Sequence, residues 1–229
     1  MAPYVRTIVT RVVDGPGGTR RHWARLDDHF HGFEVALDVR AGSVIAAEAT
    51  SHRSPWSTCP GALASVGRLR GPLGSVNRDL VREPRTNTCV HVNDLVWMAT
   101  QGHEYRRYDV EVTPMGASLH RDGEPLFGWR LERYQIASPG PFQGLGVQDL
   151  AWAERLQGVG ADADLREAVR VLRRALLVAV GYFELEWSAV ATASESYAGT
   201  MINSCHTFSD ANVHLGRRTA VPPDTDLYA

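Results

Sequence analysis

Lysine is absent from the 229 residues, so all 24 basic side chains are arginine. That excludes Schiff-base catalysis on a lysine and a phosphate loop built around a lysine ammonium. Cysteine is scarce as well: there are three, and no two have Cys-x-x-Cys spacing. A disulfide framework is therefore not expected, and these residues read as reduced thiols or metal ligands. No apolar run approaches the ~20 residues of a membrane span. Met1–Arg6 has no basic start followed by an apolar stretch and a small-residue cleavage site, so a cytoplasmic protein with no membrane partner is expected. Net charge is small too, a formal -2 from 24 basic and 26 acidic side chains. The arginine pairs at 20–21, 106–107, 173–174 and 217–218 are scattered and form no basic stripe, which argues against a nucleic-acid partner. The glycines of Ser138–Gly146 do not fit a phosphate-cradling pattern, and no nucleophile elbow is evident.

What is present suits one globular domain over residues 1–229. With 44% hydrophobic and 22% charged residues, a chain of this length hides roughly 70–75% of its unfolded surface. The expected fold class is α+β, a mostly antiparallel sheet from N-terminal hairpins packed against several helices, including one long C-terminal helix. Period-two alternation predicts strands over Tyr4–Val13, Thr19–Leu26, Phe33–Val39 and Ser43–Ser51, a meander punctuated by Asp14–Gly18 and Ala41–Gly42. A second set follows at Tyr105–Thr113, Ala117–Arg121 and Leu126–Ile136, the last two joined by Asp122–Pro125. Val147–Leu156 reads as a short helix, and Asp164-Leu165-Arg166-Glu167 as the capping box of a longer one. In that helix Leu165, Val169, Leu172, Leu176 and Val180 recur at helical spacing, and Leu176–Phe183 is apolar nearly all round. Glu184 and Glu186 interrupt it, and a carboxyl there is either an acid–base group or a solvated side chain. Residues 219–229 read as a flexible tail.

Two clusters carry chemistry. In Asp27-Asp28-His29-Phe30-His31-Gly32, an extended chain would put Asp27, His29 and His31 on one face, whereas a turn would bring Asp28 to His31. A carboxylate on one imidazole nitrogen fixes the tautomer and makes the other nitrogen a base. The competing reading is a hairpin corner whose aspartates cap backbone N–H groups. In the second cluster, Cys59 before Pro60 reads as a helix N-cap, and Thr88 as the N-cap of a helix with Cys89 first and His91 third. Helix starts favour a thiolate; against that, free cysteine most often packs as a small buried hydrophobe. Between them Arg53 offers a fork for a carboxylate, and Trp56 an apolar wall.

Phe30-His31 with its preceding aspartates, Pro55-Trp56 before Cys59-Pro60, the Leu69-Arg70-Gly71 turn, and Cys89-x-His91 followed by Asp94-Leu95 resemble a bacterial domain-of-unknown-function family, family 2889. The likeness spans residues 5 to 100 and returns loosely at 129–144 and 171–175. Where relatives often read Cys-Thr-His-Leu, this chain has Cys89-Val90-His91-Val92. The resemblance supplies no activity; it tilts the expected substrate toward an aromatic compound.

The resulting expectation is an enzyme acting without a cofactor or metal on a small, partly apolar metabolite, by lyase- or isomerase-like proton transfer. His31 would be the base, Asp28 its orienter, and His91 a second acid–base group. Arg53, Trp56, Trp129, Cys59 and Cys89 would contact the substrate. One alternative is a metal site using Cys59, Cys89, His91 and Cys205 or His206, or the harder set Asp27, His29 and His31. The other is a non-catalytic binding or assembly module, with a second copy of the chain as partner.

Overall fold

Alternating apolar positions in the first fifty residues build the strands β1 (Tyr4–Asp14), β2 (Arg20–Asp28), β3 (Gly32–Arg40) and β4 (Ser43–Arg53). In this computed structural model residues 2–159, 162–185, 189–196 and 201–219 are described. A 3-10 turn at Cys59–Leu63 runs into α1 (Ala64–Gly67). There follow β5 (Gly71–Pro72), α2 (Val76–Arg82) and α3 (Val90–Thr100). The second strand set is β6 (Tyr105–Thr113), β7 (Gly116–Arg121), β8 (Glu124–Glu132) and β9 (Gln135–Ile136). Helices α4 (Trp152–Gly158), α5 (Ala163–Glu184) and α6 (Ala193–Ser196) complete the chain. The result is a nine-stranded antiparallel sheet in the order β5-β4-β3-β2-β1-β6-β7-β8-β9 with helices, an α+β fold as expected. No helix of the described residues is long and apolar enough to cross a membrane.

The chain divides into two compact units, the larger formed by Ile8–Arg106 with described residues of Glu186–Asp224. In it the register pairs His22 with Leu37, Ala24 with Val35 and Leu26 with Phe33, so these side chains share one face. All six are buried, and α3 packs on β2 and β3 through Val92, Leu95, Val96, Met98 and Ala99. Each of the larger of these, the valines, Leu95 and Met98, contributes on the order of 1.5–3 kcal/mol. The imidazole of His22 donates from Nδ1 to the Ala99 carbonyl, 3.0 Å away, and secures the C-terminal end of α3. The opposite face of the strands is a lattice of surface ion pairs, Arg21 with Asp38 and Glu48, and His52 with Glu34.

The smaller unit holds described residues of Met1–Thr7 and Arg107–Leu185. Here α5 lies against β7, burying Ala168, Val169, Leu172, Ala175, Leu176 and Ala179. The Tyr108 hydroxyl donates to Glu167 at 2.9 Å, both side chains being buried. The N-cap of α5 is Asp162, whose carboxylate accepts from the Leu165 N–H at 3.0 Å. The expected capping box starting at Asp164 is therefore displaced: its Glu167 is drawn inward by the buried phenol instead of reaching back to the cap. Likewise α4 begins at Trp152 and not at Val147, because Gly146 N–H bonds the Asp149 carboxylate at 2.7 Å and closes a turn there. The expected strand Leu126–Ile136 is broken by Arg133 and Tyr134, both at positive φ, which fold it into the β8–β9 hairpin. Glu184 is exposed and accepts from the Tyr134 hydroxyl at 2.5 Å, while Glu186 and positions 220–229 of the expected tail lie outside the described residues.

Candidate functional site

The hairpin between β2 and β3 takes the turn alternative. Asp28 N–H donates to the His31 carbonyl at 2.8 Å, leaving His29 and Phe30 as the two corner residues. One Asp28 carboxylate oxygen accepts from the backbone N–H groups of Phe30 and His31, each at 2.8 Å. The same carboxylate meets Nδ1 of His31 at 3.0 and 3.3 Å. Aspartate at this position forms such turns because its short side chain reaches the backbone two and three residues ahead. Asp28 is 0% exposed and His31 7%, so the carboxylate exchanges water for these donors. Bound to a carboxylate, Nδ1 carries the proton and Nε2 presents the lone pair.

Gly32 follows the turn, and a Cβ on it would stand in ordinary van der Waals contact with β4, 3.4 Å from Arg53 Cβ and 3.5 Å from His52 Cβ. Arg53 sits at the end of β4, opposite Gly32. Its Nη2 donates to the Asp27 carboxylate and to the Asp28 carbonyl, and reaches the His31 carbonyl at 3.5 Å. Through Nη2, the fork that the sequence offers to a substrate carboxylate is turned toward the hairpin corner itself.

The second cluster meets the first through His91. Its ring centroid stands 4.1 Å from that of His31, with a 56° tilt, and Phe33 lies on the other side of His31 at 5.7 Å. Helix α3 starts one residue later than expected. Cys89, at φ -122 and ψ 129, is the N-cap, so His91 is the second helical residue. The 3-10 turn shifts the other way, with Thr58 as N-cap and Cys59 as its first residue. A β-region Cys89 suits the cap, because an N-cap residue is non-helical.

Neither cysteine behaves as a thiolate. Burial pushes the Cys59 thiol up to about 11 and the Cys89 thiol up to about 12. Burial raises Cys205 as well. Desolvation outweighs the helix-start field that favoured ionisation in the sequence. The segment 205–207 ties these places together, with Thr207 Oγ1 donating to Cys59 Sγ at 3.3 Å and His206 N–H donating to the Thr88 carbonyl at 2.9 Å. His206 is held at both ring nitrogens, by the Thr86 carbonyl at 3.2 Å and Asn212 Nδ2 at 3.2 Å. The contacts to Cys59, Thr86 and Thr88 join residues more than a hundred positions apart, which no local pattern announces. Among the described residues no group of three His, Cys, Asp or Glu side chains is arranged to hold a metal ion.

Trp56 is 2% exposed, in the larger unit, and its backbone bridges to Arg218. Trp129 belongs to the smaller unit and packs in a ring cluster, 5.6 Å from Phe127 and Phe142 and 5.7 Å from Trp152. The structure thus brings Asp28, His31 and His91 together, places Arg53 behind their turn, and puts Cys59 and Cys89 at two helix starts as half-buried neutral thiols.

No curated protein matches the chain. Residues 15–103, the stretch that supplies Asp28, His31, Arg53, Cys59, Cys89 and His91, match a family described as a protein of unknown function, DUF2889.

Proposed function

We propose that the protein is an enzyme acting on a small, partly apolar metabolite, of aromatic character, by histidine–carboxylate acid–base catalysis of the lyase or isomerase kind. The observation that carries this reading is the Asp28–His31 dyad with the ring of His91 4.1 Å from His31. A base needs an oriented lone pair, and the Nδ1 bond leaves that lone pair on Nε2 of His31. A proton removed at one substrate atom must be returned at another, and a second imidazole beside the first provides the acid. Phe30 and Phe33, both buried, line the dyad with apolar surface.

The test is proton exchange. The protein is incubated in heavy water with a panel of small aromatic and carbonyl compounds, and loss of substrate C–H signals is followed by proton NMR. Exchange is expected for a subset of the panel and should fall by about 10²–10⁴ in His31→Gln, the usual worth of a positioned base. Should no compound exchange or quench tryptophan fluorescence, or should His31→Gln and His91→Gln match the parent, the reading is abandoned.

A further inference from the structure

We infer that Arg53 is a positioning residue, whose guanidinium staples the β2–β3 turn from the β4 side and so holds His31 in its orientation; this rests on the reading of His31 as a base. Nη2 directs its two N–H groups to the Asp27 carboxylate and the Asp28 carbonyl, with the His31 carbonyl 3.5 Å away. Those carbonyls belong to the two residues that flank the corner. The Asp28 carboxylate binds the N–H groups of the same turn. Carboxylate on one side and guanidinium on the other therefore satisfy the turn's donors and acceptors together. Asp27 is itself fixed by Arg25 Nη2 at 3.0 Å, so the staple is anchored at its outer end. A guanidinium combines positive charge with two N–H donors on one nitrogen in a fixed plane; a lysine ammonium would supply the charge without that geometry.

The assignment is tested on the full-length protein by nitrogen-15 NMR of the His31 ring and amide exchange at Phe30 and His31. The parent should show a single Nδ1–H tautomer for His31. In Arg53→Met the ring should become a mixture of tautomers, and the two amides should exchange roughly 10–100-fold faster, as expected when a charge-assisted bond to a turn is lost. Arg53→Lys and Asp27→Asn should fall between, and they carry the test if Arg53→Met does not fold. Unchanged tautomer and exchange in the folded variants overturn the assignment. So does a substrate-affinity loss in Arg53→Lys with the His31 ring unaltered, which would mark a substrate fork instead. The functional reading fails separately, when His31→Gln leaves exchange chemistry intact; the ring signals of Arg53 variants do not depend on that result.

Discussion

The imidazoles of His31 and His91 stand 4.1 Å apart although 60 residues separate them, one held on a hairpin corner and the other on the first turn of α3. His31 has its Nδ1 on the Asp28 carboxylate, and His91 stands at the start of α3. Exchanging the roles is therefore not symmetric. His91→Gln should remove the acid and leave the base intact, so a substrate that supplies its own proton should still be deprotonated. His31→Gln should stop deprotonation of every substrate. Rates of deuterium wash-in against rates of product formation separate the two, and equal losses in both measurements for both variants would contradict the division.

Asp28→Ala removes one acceptor shared by two backbone N–H groups and a ring nitrogen at a position that is 0% exposed. Leaving buried donors without an acceptor costs about 1–3 kcal/mol for each group that water cannot reach. A loss of about 3 kcal/mol is expected, which in a chain of this size lowers Tm by roughly 6–12 °C. Asp28→Asn, which keeps an acceptor oxygen, should lose less than half as much while still releasing the His31 tautomer. Thermal denaturation with ring nitrogen-15 shifts checks both.

How much of this was legible depended on distance along the chain. The Asp28–His31 contact is local, and a turn at Asp-rich sequence beside Gly32 was one of two geometries open to it. The strands were legible because their period of two persisted over whole segments; the tilt of boundaries at Val147 and Asp164 was not, because Asp149 and Tyr108 compete for the groups that would have started those helices. Arg53 read as a substrate fork because sequence shows a free guanidinium and cannot show which carbonyls a turn will present. Thr207 against Cys59 and His206 against Thr88 leave no trace in spacing at all.

The thiols make an alkaline prediction with a definite sign. Cys59 and Cys89 are raised from 9.0 to about 11 and about 12 by burial. The folded state therefore keeps protons that the unfolded chain gives up above its own value. Their contribution is fully present below pH 9 and is lost as pH rises through 11 to 12. Unfolding by urea at pH 8, 9.5 and 10.5 should show falling stability, and Cys59→Ala with Cys89→Ala should flatten that fall relative to the parent. Tyr134, raised to about 12, acts in the same direction in all of these proteins and cancels in the comparison. A fall of the same steepness in the double variant would show that other groups set the alkaline limb. At pH 7 the thiolate fraction of Cys59 is about 100-fold below that of an ordinary thiol, so alkylation should await unfolding.

Gly61 reports on the junction between the 3-10 turn and the 205–207 segment. A Cβ there would lie 2.2 Å from His206 Nε2, 2.9 Å from Cδ2 and 3.0 Å from Cε1. The ring has little freedom to withdraw, since Thr86 and Asn212 hold its two nitrogens. Gly61→Ala should cost about 1–3 kcal/mol, as inserted carbons do in tightly packed places. His206→Ala alone should also destabilise, by losing those bonds, yet it removes the obstacle that the new methyl meets. The double variant should then be more stable than the sum of the two losses requires, by about 1 kcal/mol or more. Additive losses in urea denaturation would mean that the ring moves aside at no cost and that the close approach at Gly61 does not constrain the segment.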